Sequence, residues 1–197
     1  MLNAGYSTLD YLKRQIFPDV MEDDVEWDED LKRIALAVAV QFGRYCNREF
    51  ERAVDAEHEE TANRSGLTLP CYPVESVSTV ERICADDTET LTDVIEFLGK
   101  RSGMIQFAYK IGSYKERVKV TYTGGYWLDD DGAMPAGATA LPADVLNAFI
   151  LQVQAVVKAS DVLRTGAVAD DGEEMALASL RLVPMVAEVL NFYRRFA

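Results

Sequence analysis

Val118-Lys119-Val120-Thr121-Tyr122-Thr123-Gly124-Gly125-Tyr126 alternates apolar and polar residues, then stops on two glycines. Alternation of this kind marks a strand with one buried face. A glycine pair lets the backbone take positive φ where the strand ends. After a loop rich in Asp, Gly, Ala and Pro, Leu141-Pro142-Ala143-Asp144-Val145 opens a helix, with proline in its first turn. The chain must therefore pass from sheet to helix here, and the rest of the fold has to suit that passage.

Helices are expected at both ends. Ser7 is the expected N-cap of a first helix, with Asp10 three residues on, Leu9, Leu12 and Ile16 on one face, and Pro18 at its end. An acidic connector, 19–30, contains Trp27 and leads to a second helix. Leu31, Ile34, Ala35, Val38, Phe42 and Tyr45 recur there at helical steps, to about Phe50. Leu36 and Val40 widen the apolar stripe, so this helix needs neighbours on more than one side. Val145, Phe149, Val153, Val156 and Leu163 line a third helix. Residues 173–182 are a further helical stretch, and Pro184 opens a last one with Val186, Val189, Leu190 and Tyr193 on one face. Between the second and third helices, Gly66–Pro70, Val74–Ile83, Val94–Leu98, Met104–Tyr109 and Val118–Tyr126 read as short strands. The expected fold is α+β, mainly a helical bundle of about four helices, with a small antiparallel sheet inserted between the second and third long helices. It is one domain, 1–197, with N-terminal helices in 1–50, a β-rich insert in 51–126 and C-terminal helices in 141–197.

Composition narrows the function. The chain has 197 residues, with 20 Lys and Arg against 33 Asp and Glu, a formal charge of −13. A protein that grips nucleic acid by its phosphates needs the opposite balance. Cys46, Cys71 and Cys84 form no CxxC pattern, and an odd number fits a reducing compartment. No basic region precedes an apolar run at the N-terminus, and the longest apolar run, Ile34 to Val40, is far short of a bilayer span. No membrane association is expected.

Signatures of chemistry are absent. His58, the one histidine, lies among Asp55, Glu57, Glu59 and Glu60, as an ordinary surface residue would. With Cys46 or Cys71 it is the only nucleophile–base pairing on offer. Asp129-Asp130-Asp131-Gly132 fails as a calcium loop, because Trp127 and Ala138 stand where ligands belong. Gly124-Gly125 lacks the Lys-Ser/Thr of a phosphate loop. Neither a metal nor a cofactor is expected. The basic cluster Lys110, Lys115, Arg117 and Lys119 reads as the solvated face of a strand, or as a contact for DNA or an acidic partner. Phe192, Tyr193, Arg194, Arg195 and Phe196 close the chain with aromatics interleaved with arginines, which suits either the helix dipole or an anchor in a partner.

The order of these pieces resembles the head–tail connector (adaptor) proteins of tailed bacteriophages, the ring docked below the portal. Ser7-Thr8-Leu9-Asp10-Tyr11-Leu12-Lys13 resembles the family's opening helix, and Ile34 through Arg48-Glu49-Phe50 its second. Leu69-Pro70 and Pro73-Val74-Glu75-Ser76-Val77 resemble its central strands, and Val118–Tyr126 its Val-x-Tyr-x-x-Gly-Tyr strand. Leu141-Pro142-Ala143-Asp144-Val145 and Leu182-Val183-Pro184 to Tyr193-Arg194 resemble its third helix and terminal segment. The insert is longer than in the nearly all-helical members.

The resemblance implies a structural virion protein of the neck, made in the host bacterial cytoplasm, without enzymatic activity. It implies a closed homo-oligomeric ring of twelve copies, with portal protein on one side and a stopper or tail-completion protein on the other. DNA passes through its channel without specific binding. Phe192–Phe196 are then the expected portal contact, and Leu36, Val40, Phe149 and Trp127 the expected ring contacts. The alternatives are another neck or tail-completion component, or a small cytoplasmic enzyme.

Overall fold

The computed structural model describes residues 3–17, 28–85, 87–128, 133–164 and 181–195. The readings of the connector with Trp27, of the turn at 129–132, of residues 173–180 and of Phe196 lie outside the described residues. Two compact units emerge: Met1–Asn47, Leu128–Ala133 and Leu141–Ala197 form the first, and Arg48–Trp127 with Met134–Ala140 the second.

The first unit is helical. A two-residue hairpin, β1 (Asn3–Ala4) and β2 (Ser7–Thr8), leads into α1 (Leu9–Ile16). The N-cap is Thr8, whose hydroxyl accepts from the Tyr11 N–H; Ser7, the residue expected there, is buried in β2. α2 spans Asp28–Cys46, α3 Ala143–Arg164 and α4 Pro184–Asn191. α2 ends four residues before the expected Phe50, because Asn47 turns the chain at φ 52. Asparagine tolerates this left-handed conformation better than most residues and so serves as a helix stop.

Leu31, Ala35, Val38, Phe42 and Cys46 form the buried stripe of α2. Val145, Ala148, Phe149 and Val153 of α3, and Val186 and Leu190 of α4, are buried in the same unit. At its centre Phe42 and Phe149 meet edge to face at 6.0 Å, with Tyr6 at 5.1 Å from Phe149. Each such pair contributes about 0.5–1.5 kcal/mol beyond the area it hides. Gln152 is fully buried and clamps the approach to α4. Its amide nitrogen donates to the Arg181 carbonyl, and its oxygen accepts from the Val183 N–H, both at 2.9 Å.

The second unit is a two-layered β structure. Its larger sheet runs β3-β9-β5-β6 and its smaller one β4-β8-β7. The strands are β3 (Ala53–Thr61), β4 (Arg64–Thr68), β5 (Val74–Cys84), β6 (Asp87–Leu91), β7 (Ile95–Gly99), β8 (Met104–Ile111) and β9 (Arg117–Gly124). β10 (Tyr126–Trp127) and β11 (Thr139–Ala140) form a short parallel pair. Val80, Val118, Val120 and Tyr122 from the large sheet share one core with Leu67, Ile105, Phe107 and Ile111 from the small one. Met104 to Phe107 alternate exposed and buried, as a strand with one buried face requires; Ala108, Tyr109 and Lys110 are all exposed before Ile111 returns to the core.

The chain is therefore a sheet-rich α+β protein, and not mainly a helical bundle with a small inserted sheet. Among the described residues, the two main sheets of the insert hold seven strands, β3 to β9. The imbalance arises at β3 and β6. Ala53–Thr61 and Asp87–Leu91 are acidic and poor in large apolar residues. Both are edge strands, which need little apolar burial and are commonly charged.

The double glycine has two separate causes. A Cβ on Gly125 would lie 2.4 Å from the Glu51 carbonyl oxygen, and φ is +98 there. Gly124 has an ordinary φ, but a Cβ would lie 2.5 Å from the Cys71 carbonyl oxygen. Gly125→Ala should cost about 2–4 kcal/mol, from strain plus the clash. A drop of that size in the unfolding free energy from urea titration is the expected result.

Candidate functional site

The nucleophile candidates are structural. Cys71 is fully buried, and burial pushes its thiol up to about 11. Its Sγ lies 3.0 Å from the Glu51 carbonyl and 3.2 Å from that of Gly124, which share its one S–H proton, and its N–H donates to the Tyr122 hydroxyl at 3.1 Å. A thiol held protonated cannot act as a nucleophile at neutral pH. His58 Nε2 lies 3.2 Å from Glu60, whose other oxygen takes Arg64 at 2.9 Å, so the histidine is engaged with a carboxylate that also holds an arginine. Cys46 is buried and donates to the Leu190 carbonyl at 3.5 Å.

Arg48 has a distinct role. It is 4% exposed, with its guanidinium carbon 3.5 Å from the centroid of Tyr72, 4.6 Å from Phe50 and 5.3 Å from Tyr126. It donates to the Tyr72 carbonyl. Nearby, Arg52 and Glu75 form a bidentate pair at 2.7 and 2.8 Å. These groups fasten residues 48–52 to the start of β5 and to β10.

The basic cluster separates into two pairs. Lys119 lies between Glu81 (2.8 Å) and Glu57 (3.5 Å), and Arg117 reaches Glu59 at 2.9 Å. The Glu81 hydrogen bond, first, raises the Lys119 pKa. The outer face of the large sheet thus neutralises itself. Lys110 and Lys115 have no ion pair among the described residues; Lys115 lies 5.8 Å from the ring centroid of the exposed Tyr114.

The closing segment is tied to its own unit. The Tyr193 hydroxyl lies 2.9 Å from both Asp144 carboxylate oxygens, the Arg194 guanidinium lies over Tyr45 at 5.6 Å, and the Arg195 N–H donates to the Cys46 carbonyl at 2.8 Å. Phe192, in contrast, is 88% exposed, and Met185, seven residues earlier and so on the same side of α4, is 62% exposed. On α2, Leu36 and Val40 are exposed by 46% and 53%. A groove of about 250 Å³ runs beside them, lined by Ile34, Ala37, Val40, Gln41, Arg44 and Val156. Phe149 is wholly inside the helical core and Trp127 is half-buried in β10. The exposed Phe97 and Met104 on the small sheet carry no sequence expectation. The signal for them is the break in alternation at Ile95–Leu98 and the apolar residue heading β8.

Cys84 is exposed, and a hydrogen bond to the Glu116 carboxylate raises its thiol pKa. Glu116 is itself held below the usual carboxylate range, first by the Ser113 N–H and then by the Ser113 hydroxyl and the Cys84 thiol. Its stabilising contribution is thus present above its unfolded pKa and lost as pH falls through the lower folded one. A thiol reagent at mildly alkaline pH should modify one cysteine quickly in the native chain and all three after unfolding. Cys84→Ser should abolish the fast phase and Glu116→Gln should accelerate it, both read by mass spectrometry.

The Head completion protein family matches residues 22–196. By structure, the chain is similar to a chain from the neck of an empty gene transfer agent particle computed with C6 symmetry. That likeness has a TM-score of 0.63 and 13% identity, over 100% of this chain and 93% of the other. A chain from the virion of a native gene transfer agent particle gives a TM-score of 0.60 and 16% identity over the same shares. Likenesses at such identity speak for the fold. No curated protein matches the sequence.

Proposed function

We infer that this chain, which belongs to the head completion protein family, is a structural head–tail connector of a virion neck. The observation that carries the reading is the family match across residues 22–196, in keeping with the connector resemblance of the sequence. A fold shared with a chain of a gene transfer agent neck supports it.

In this reading the protein forms a ring under the portal, extends the DNA channel and offers a docking surface to a stopper or tail-completion protein. Twelve copies are proposed; the sixfold symmetry of the similar neck admits that number. A ring needs a heterologous interface that closes on itself. The exposed Leu36 and Val40, beside the α2 groove, supply one apolar side of it. Trp127 is a second proposed contact, and Phe149 supports the helical face from within. A charge of −13 per copy favours passage of DNA without retention. No catalytic role is proposed, since Cys71 is held protonated and His58 is engaged by Glu60. The protein would be made in the host cytoplasm and end in the virion neck.

The portal contact is assigned to the closing segment, with Phe192 as its anchor and Met185 beside it. Tyr193, Arg194 and Arg195 hold the segment in place, which leaves Phe192 presented at low entropic cost. Phe192→Ala should weaken binding to purified portal roughly 30-fold, about 2 kcal/mol. The unfolding midpoint should not move, because the side chain is exposed. Portal binding at wild-type strength, measured by surface plasmon resonance, would refute the assignment.

A further inference from the structure

The two outer faces of the β unit differ in kind. On the large sheet, Lys119 and Arg117 alternate with Glu57, Glu59 and Glu81 in a self-neutralising ladder suited to water. On the small sheet, β8 presents Met104, Gln106, Ala108 and Lys110 outward, and Phe97 of β7 stands opposite Gln106. Phe97 is 50% and Met104 44% exposed. An antiparallel sheet with a solvated face is normally polar there, so this face departs from the rule that its partner sheet obeys.

Cations border it. Lys100 and Arg101 occupy the turn between β7 and β8, beside Met104. Lys110 and Lys115 lie at the opposite end of β8. None of the four is in an ion pair among the described residues. The acids of this region are Asp93 and Glu96, at the β7 edge and its approach, and Glu116, next to Lys115, whose carboxylate accepts from the Ser113 N–H and the Cys84 thiol. An apolar centre with a charged rim is the anatomy of a protein-binding patch. A duplex would use the cations but leave Phe97 and Met104 without a partner.

Only an acidic partner with apolar side chains complements such a surface, and this chain contains one. Residues 19–27 carry Asp19, Glu22, Asp23, Asp24 and Glu26, no base, and Val20, Met21, Val25 and Trp27 between them. We propose that the outer face of the β4-β8-β7 sheet receives residues 19–27 of a second copy of this chain, acids to the cationic rim and apolar residues to Phe97 and Met104. The contact is heterologous, and it deepens the ring reading, on which it rests for the presence of a neighbour.

The test is fluorescence anisotropy of a labelled synthetic peptide with the sequence of residues 19–27, titrated with the full-length chain. Saturable binding that weakens as salt rises is expected. Phe97→Ser and the pair Lys100→Glu, Arg101→Glu should each weaken it roughly tenfold. A peptide with Ser at the four apolar positions should lose binding similarly. No saturable binding, or equal binding by the face variants or by the Ser-substituted peptide, would overturn the proposal. So would duplex DNA occupying the face with the same variant sensitivity while the peptide does not bind. Phe97 is half-exposed, so the chain should tolerate its loss, and the charge variants test the face independently of it. The assay reads single copies, so a failed ring and a failed peptide contact are separate results.

Discussion

The β unit is organised around a buried positive charge. A guanidinium removed from water costs several kcal/mol unless its surroundings replace the lost hydration. For Arg48 those surroundings are three ring faces and the Tyr72 carbonyl, while its Nε has no acceptor among the described residues. Phe50, Tyr72 and Tyr126 come from three separate stretches of chain, so the charge is tolerated only when all three have converged. The close approaches at Gly124 and Gly125 follow from that convergence. Backbone from residues 51, 71 and 73 crowds against the end of β9, with the Gly125 N–H donating to the Pro73 carbonyl at 2.9 Å. No side chain fits there.

Much of the helical unit is legible in the sequence because its signal is periodic. Leu31, Ala35, Val38 and Phe42 recur at helical steps and are buried on one stripe of α2. Val186 and Leu190 do the same on α4. Boundaries were less legible. Whether Ser7 or Thr8 caps α1 depends on a hairpin two residues long. Whether α2 stops at Cys46 or Phe50 depends on Asn47 adopting a left-handed turn, which helical periodicity does not signal. The sheets are less legible because edge strands hide their identity. β3 looks like a charged surface run, and the partners of Glu57 and Glu59, Lys119 and Arg117, lie some sixty positions away in the chain.

The interaction surfaces divide in the same way. Phe192 stands out in sequence as an aromatic in an amphipathic closing stretch, and it is 88% exposed. Its companions Tyr193 and Arg195 were indistinguishable from it in sequence, and contacts with Asp144 and the Cys46 carbonyl separate them. Phe149 had every mark of an apolar face residue, yet it sits between Phe42 and Tyr6. Periodicity identifies the apolar stripe of a helix but not which neighbour covers it.

The helical unit draws on both ends of the sequence, and the β unit on the middle. During synthesis, β3 to β9 emerge as one nearly continuous run and can close their core while α3 and α4 are still unmade. The α2 stripe has to wait for Phe149, Leu190 and the Gln152 clamp, all far downstream. Local contacts form before distant ones because closing a longer loop costs more entropy. A chain cut short by the ribosome would thus hold a closed sandwich and, separately, an uncovered helix. The apolar stripe of α2 is therefore the surface that such a fragment would leave open to wrong partners.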